Sequence, residues 1–212
     1  MTPAELLAVF RDEVSDTQAP FLWSDLLFYT YLDDAQKEFC RLTFGIEDAR
    51  TFTLALTPGS EWYALNPRIL QILGAYDQAT GKPLPVLTRA EAVARNVRFD
   101  GRQGALQALF KGMEKASLRA YPVTATAQTI SLETRRLPET LTPAGTLEID
   151  EQHHLNLLTW VRYRAYSKQD TETYDPVKAA THKQMFEAYC RESKIEQGRL
   201  MRNVAVVRFQ DC

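Results

Sequence analysis

One stretch limits the folds open to this chain more than any other. Phe28, Leu32, Ala35, Phe39 and Leu42 recur at spacings of four, three, four and three. That period lays a single apolar seam along a helix, and such a seam must be covered by other elements. Ser24 supplies a helix-capping side chain and Gly45 the expected stop, so the spacing predicts a helix from Ser24 to about Phe44. Asp33, Asp34, Gln36, Lys37 and Arg41 fall on its other faces, and the adjacent aspartates read as a solvated surface.

Three further helices offer covering partners. Thr2 and Glu5 have capping-box spacing with Pro3 at the first helical position, which predicts a helix from Pro3 to about Val14, broken by Asp16 to Pro20. Asp150 reads as the cap of a helix from Glu151 to about Ser167. Leu155, Leu157, Leu158, Trp160, Val161, Tyr163, Ala165 and Tyr166 spread around most of its circumference, so it needs cover on more than one side. After a polar loop, Asp175-Pro176 opens a final helix with Ala179, His182, Phe186 and Tyr189 inward and Gly198 as its stop.

Between these helices the period drops to two. Phe52, Leu54 and Leu56 alternate with polar or small neighbours, as in a half-buried strand, and Thr57-Pro58-Gly59-Ser60 is turn chemistry. Pro67 to Leu73 reads as a brief helical turn, Ile72 to Tyr76 as a strand, and Thr88 with Glu91 as the capping box of a short helix ending near Arg95. From Asn96 to Leu147 the signal is faint: a hairpin of 106–110 and 117–121 about Gly112, then a strand from Thr129 to Arg136 ended by Pro138 and Pro143. The expected fold is α+β and mainly α: one domain over 1–212, with a helical bundle (1–50 and 148–197), an antiparallel β-rich insertion (51–147) and an extended C-terminal tail (198–212). The tail is β-prone, carrying Val204, Ala205, Val206 and Val207 between Arg202 and Arg208.

Composition narrows the function classes. Hydrophobic residues make up 45% and charged residues 25%, so the chain can bury a core and is not disordered. A formal charge of −2 gives no overall basic field for DNA. The clusters Arg135-Arg136, Arg162 with Arg164, and Arg199 with Arg202 and Arg208 lack the interleaved aromatics of single-strand binders. Cys40, Cys190 and Cys212 are odd in number and widely spaced, which suits a reducing compartment. The first residues show no basic, then apolar, leader, and no apolar run nears the roughly 18 residues of a span, so the expectation is a soluble protein made in the cytoplasm.

Catalytic patterns are missing. His153 and His154 are adjacent and point about 100° apart on a helix, unlike a metal-binding pair spaced by four. His182 is their only companion in the sequence. No G-x-S-x-G, P-loop or G-x-G-x-x-G appears. Asp33-Asp34 with Glu38, and Asp150-Glu151, are the carboxylate pairs that a small hydrolase would use, but the first reads as helix surface and the second as charge at a helix N-terminus. No catalytic, cofactor-binding or metal residue is expected, and no cofactor.

The order of segments resembles a known family. Leu22-Trp23-Ser24-Asp25, followed by Tyr31-Leu32-Asp33-Asp34-Ala35-Gln36, is similar to the opening of phage head–tail adaptor proteins, also called connector or tail-tubular A-type proteins. Arg136-Leu137-Pro138, then Leu147 through Trp160, resembles that family's proline-ended strand and second bundle helix, and Ala165-Tyr166-Ser167-Lys168-Gln169-Asp170 continues the likeness. The likeness runs through nearly the whole chain and departs most at 96–128. It implies a virion structural protein with no catalytic residues. Such a protein forms a homo-oligomeric, usually dodecameric, ring under the portal, passes double-stranded DNA without sequence preference, meets tail or nozzle proteins, and involves no membrane. The rival readings are another neck or tail-completion protein, a carboxylate-dependent hydrolase and a cytoplasmic DNA-binding regulator, the last of which would bind DNA with a steep salt dependence. The tail residues Leu200, Arg202, Val204, Val206, Arg208 and Phe209 are the expected contacts with the portal or a neighbouring subunit, the alternative being that the tail closes the sheet of its own β-rich insertion.

Overall fold

The computed structural model describes residues 1–203, with side chains to residue 200. In chain order, α1 (Pro3–Glu13) and α2 (Asp25–Leu42) precede β1 (Ile46–Asp48), β2 (Thr53–Leu56), β3 (Trp62–Ala64), β4 (Ile69–Asp77), β5 (Pro83–Leu84) and β6 (Val86–Thr88). A short helix α3 (Arg89–Ala94) leads to β7 (Gln103–Gly104), β8 (Ala108–Lys111), β9 (Ser117–Tyr121), β10 (Val123–Thr124) and β11 (Gln128–Arg136). A 3-10 turn (Glu151–His153), α4 (His154–Tyr166) and α5 (Pro176–Asn203) complete the described chain. These elements form two compact units, one of residues 1–45 with the chain from 138 onward, the other of 46–137.

The expected mainly-α character is overturned. Helix accounts for 38% and strand for 23%, in several multi-stranded sheets, so the fold is mixed α+β. Many strands are only two to four residues long, too short for a period of two to register in the sequence. The antiparallel expectation also needs correction, because β6 runs parallel to β8 and β10 parallel to β7. The first case follows from α3: a helix between two strands returns the chain to the same end of the sheet, where a tight turn would reverse it.

In the helical unit, the α2 seam is buried at Phe28, Leu32, Ala35 and Phe39, while Leu42 is half-buried. Phe39 lies against the His153 and Tyr189 rings, and Trp160 of α4 against Phe186 of α5 at 5.0 Å. Asp16 organises the break after α1. Its buried carboxylate accepts from the backbone N–H groups of Leu22 and Trp23 at 2.9 and 3.3 Å. That fixes Trp23, which packs edge-on against Phe10 and Tyr166 and donates its indole N–H to the Ala165 carbonyl. Asp175 caps α5 by accepting from Val177 and Lys178. Gly198 does not stop this helix, which continues to Asn203. One glycine inside a helix costs only about 1 kcal/mol, too little to end 28 residues otherwise in register.

In the β unit, β11 is the central strand. It pairs with β1 and β2 along one edge and with β4 along the other, and β5 extends β4. Pro67 to Leu73 is thus mostly strand, not a helical turn, because β4 begins at Ile69. A second sheet runs β3-β9-β8-β6. Ile130, Leu132, Leu54 and Leu56 from the first sheet share a core with Leu109, Leu118 and Tyr63 from the second. The buried Tyr63 ring ends in a hydroxyl that accepts the Thr57 N–H and shares its single proton between the Thr57 and Ser60 carbonyls. Gly112 turns β8 into β9 at φ +75°, a left-handed conformation that glycine adopts without strain.

Candidate functional site

The acidic residues singled out as a conceivable catalytic set are structural ties. Asp33 receives Lys37 Nζ at 2.5 Å, the Leu141 backbone N–H at 2.8 Å and Gln36 Nε2 at 3.1 Å. Asp34 accepts from the indole N–H of Trp160 at 2.8 Å and faces Arg164. Both aspartates are half-buried, which corrects the solvated-surface reading: they fasten α2 to the segment after Pro138 and to α4. Glu38 pairs with Arg41 at 3.0 Å. Asp150 makes no side-chain capping bond, and Glu151 instead holds the Met1 amino group at 2.5 Å.

Electrostatics run against acid catalysis. A general acid needs a carboxyl pushed upward, whereas Asp48, Asp77, Glu91, Glu151, Asp170 and Asp175 are all displaced downward. Asp48 is the clearest. Burial opposes its charge, but hydrogen bonds from the Thr51 hydroxyl, the Arg50 and Thr51 backbone and Arg136 outweigh that and hold it far below the usual range.

Two of the three histidines are tied by hydrogen bonds and the third by a ring stack. His153 Nδ1 meets the Tyr189 hydroxyl at 2.7 Å, His154 Nε2 meets the Ile149 carbonyl oxygen at 2.8 Å, and His182 stacks on Tyr166. Among the described residues, no group of three or more His, Cys, Asp or Glu is placed to hold a metal. Cys40 and Cys190 are buried, and burial pushes the Cys190 thiol up to about 12, far from a reactive thiolate.

The expected contact residues divide. Leu200 and Arg202 lie on the last turns of α5, and Leu200 is 63% exposed. Val204, Val206, Arg208 and Phe209 lie outside the described residues.

A surface that the sequence reading missed lies in the β unit. A concavity of about 430 Å³ is lined by Trp62 of β3, Ala92 and Val93 of α3, the following Val97 and Phe99, and Met113, with Arg89 and Arg119 beside them. Arg119 is fixed: Glu61 holds it at 2.6 Å and its guanidinium lies over the Phe99 ring at 4.2 Å and the Trp62 ring at 5.2 Å. Charge is also divided along the chain. Residues 46–137 carry twelve Lys and Arg against eight Asp and Glu, a net +4, which leaves −6 for the remainder of a chain that totals −2. The near-neutral total conceals this.

Among the described residues no helix is long and apolar enough to cross a membrane. No curated protein matches the chain. A family model described as SU10 adaptor protein matches residues 1–208, and the chain therefore belongs to that family of phage adaptors, which are structural proteins of the virion.

Proposed function

We propose that this member of the SU10 adaptor protein family is a non-enzymatic neck subunit that forms a dodecameric ring beneath the portal. The ring extends the DNA exit channel and receives the tail or nozzle proteins on its far side. Membership across residues 1–208 is the observation that carries this reading, since it spans the helical unit and the β unit alike. The carboxylates that the hydrolase alternative would use at Asp33, Asp34, Glu38 and Glu151 are held in hydrogen bonds and ion pairs within the fold. Portal or inter-subunit contact is assigned to Leu200 and Arg202 at the end of α5 and to Val204, Val206, Arg208 and Phe209 beyond it.

Mixing the purified protein with portal rings tests this. Light scattering and negative-stain imaging should reveal one discrete complex, with a mass increment of twelve subunits and a ring on one pole of the portal. Binding to an isolated tail tube in preference to the portal would instead identify a tail-completion protein. Removing residues 204–212 should abolish the portal complex while the melting temperature of the isolated chain stays unchanged. A large fall in that temperature would mean that the segment serves its own fold.

A further inference from the structure

We infer that the aromatic concavity of the β unit receives the acidic helical unit of a second copy of this chain, so that neighbouring subunits join head to tail by opposite charge. This rests on the ring reading above and adds which surfaces meet.

Three observations carry it. The first is the concavity itself, where Trp62 is 39% and Val93 71% exposed, a large apolar area to leave in water beside a packed sheet. The second is the charge beside it. Arg89 stands at the concavity, the exposed Arg98 lies in the chain between two of its lining residues, Val97 and Phe99, and the exposed Arg102 follows three residues after Phe99; among the described residues none of the three arginines has a carboxylate within ion-pairing distance. Arg119 alone is neutralised, by Glu61, and its two ring contacts hold the wall of the concavity in shape. The third is the division of charge, +4 on the β unit against −6 on the rest.

An apolar floor with unpaired arginines on and near its lining segments selects a partner offering an apolar side chain beside carboxylates. A DNA backbone would satisfy the arginines but has no apolar group to fill the floor. The helical unit of another copy provides both kinds of group: net negative charge, and exposed apolar side chains such as Leu26, Leu155 and Val177. Because the two patches differ, the contact is heterologous, and repetition of a heterologous contact closes into a ring when the rotation allows.

The test places a photo-crosslinking amino acid at Val93 of the full chain, which is irradiated both alone at high concentration in low salt and after assembly on portal rings. We expect a covalent dimer on a denaturing gel, with the crosslink mapping to residues 1–45 or 138–203 of a second copy. Raising salt to 0.5 M, or introducing R89E/R98E/R102E, should reduce its yield on the order of tenfold. Circular dichroism melting of the triple variant should match the unaltered chain, which separates lost docking from lost folding. Crosslinks to portal protein or DNA only, a dimer joined β unit to β unit, or no dimer in either arm would overturn the inference. Portal capture without the dimer leaves the adaptor reading standing, and the dimer without portal capture does the reverse.

Discussion

The two units of this chain build their cores from different materials. In the helical unit a few large aromatic side chains do most of the filling: Phe10, Trp23, Phe28, Phe39, Trp160 and Phe186 sit in ring-to-ring contact along four helices. The β unit instead relies on many small pieces. Its main core is chiefly Leu, Ile and Ala from strands of three to nine residues, stitched by the β11 ladder and by hydrogen bonds in the turns. Loss of one large side chain should therefore be felt most in the helical unit.

The sharpest test is Phe39→Ala. It removes a buried ring wedged between His153 and Tyr189 and should destabilise the helical unit by about 3–5 kcal/mol. Tryptophan emission during urea unfolding can follow the units separately, because Trp23 and Trp160 belong to one and Trp62 to the other. One domain over 1–212 would lose all three signals together. The pairing of Ile46 with Arg136 closes the β unit where the chain enters and leaves it, so we expect Trp62 to report a later transition. A loss below about 1 kcal/mol would mean that the seam does not carry the helical core.

Polar ties come next. Asp34→Ala strands the Trp160 indole N–H and should cost about 1–3 kcal/mol while leaving ring assembly intact. Loss of assembly without loss of stability would give Asp34 a role in contacts. In the β unit Asp48 makes a pH test. Its folded pKa lies below the ordinary 3.8, so it stabilises the folded state above that value, and the contribution disappears as pH falls through the carboxylate range toward the folded pKa. Acid unfolding monitored by Trp62 should thus be less steep in Asp48→Asn than in the unaltered chain between about pH 5 and 2. Equal steepness would place the acid sensitivity elsewhere.

How far the sequence could be read follows the same division. The α2 seam, both capping boxes and the Asp175-Pro176 opening were legible because each depends on neighbours within one or two turns. The hairpin of β8 and β9 around Gly112 was legible for the same reason. What escaped reading is long-range. Asp33 and Asp34 appear solvated until the segment at Leu141 and the Trp160 indole arrive from more than a hundred residues away. The concavity gathers Trp62, Val93 and Phe99 from a strand, a helix and a loop, and no local period marks such a set. The charge division was written in the sequence but emerges only once 46–137 is seen as a unit.

The smallest predicted effects come from two caps that look alike in sequence. Thr88 precedes a six-residue helix in the β unit, and both halves of its capping box are present: Glu91 N–H donates to Thr88 Oγ1 at 3.3 Å, and Thr88 N–H donates to Glu91 Oε2 at 2.7 Å. Asp150 also precedes a helical segment, but its side chain accepts no capping bond. The reason is local. The chain enters α4 through a 3-10 turn in which the Asp150 carbonyl already takes the His153 N–H, and His154 binds the Ile149 carbonyl beside it. Thr88→Ala should cost about 1 kcal/mol, and Asp150→Ala no more than about 0.5 kcal/mol, since only a charge near a helix N-terminus is lost. Paired urea titrations of the two variants measure this. An Asp150→Ala loss equal to that of Thr88→Ala would mean that the aspartate caps α4 in solution as Thr88 caps α3.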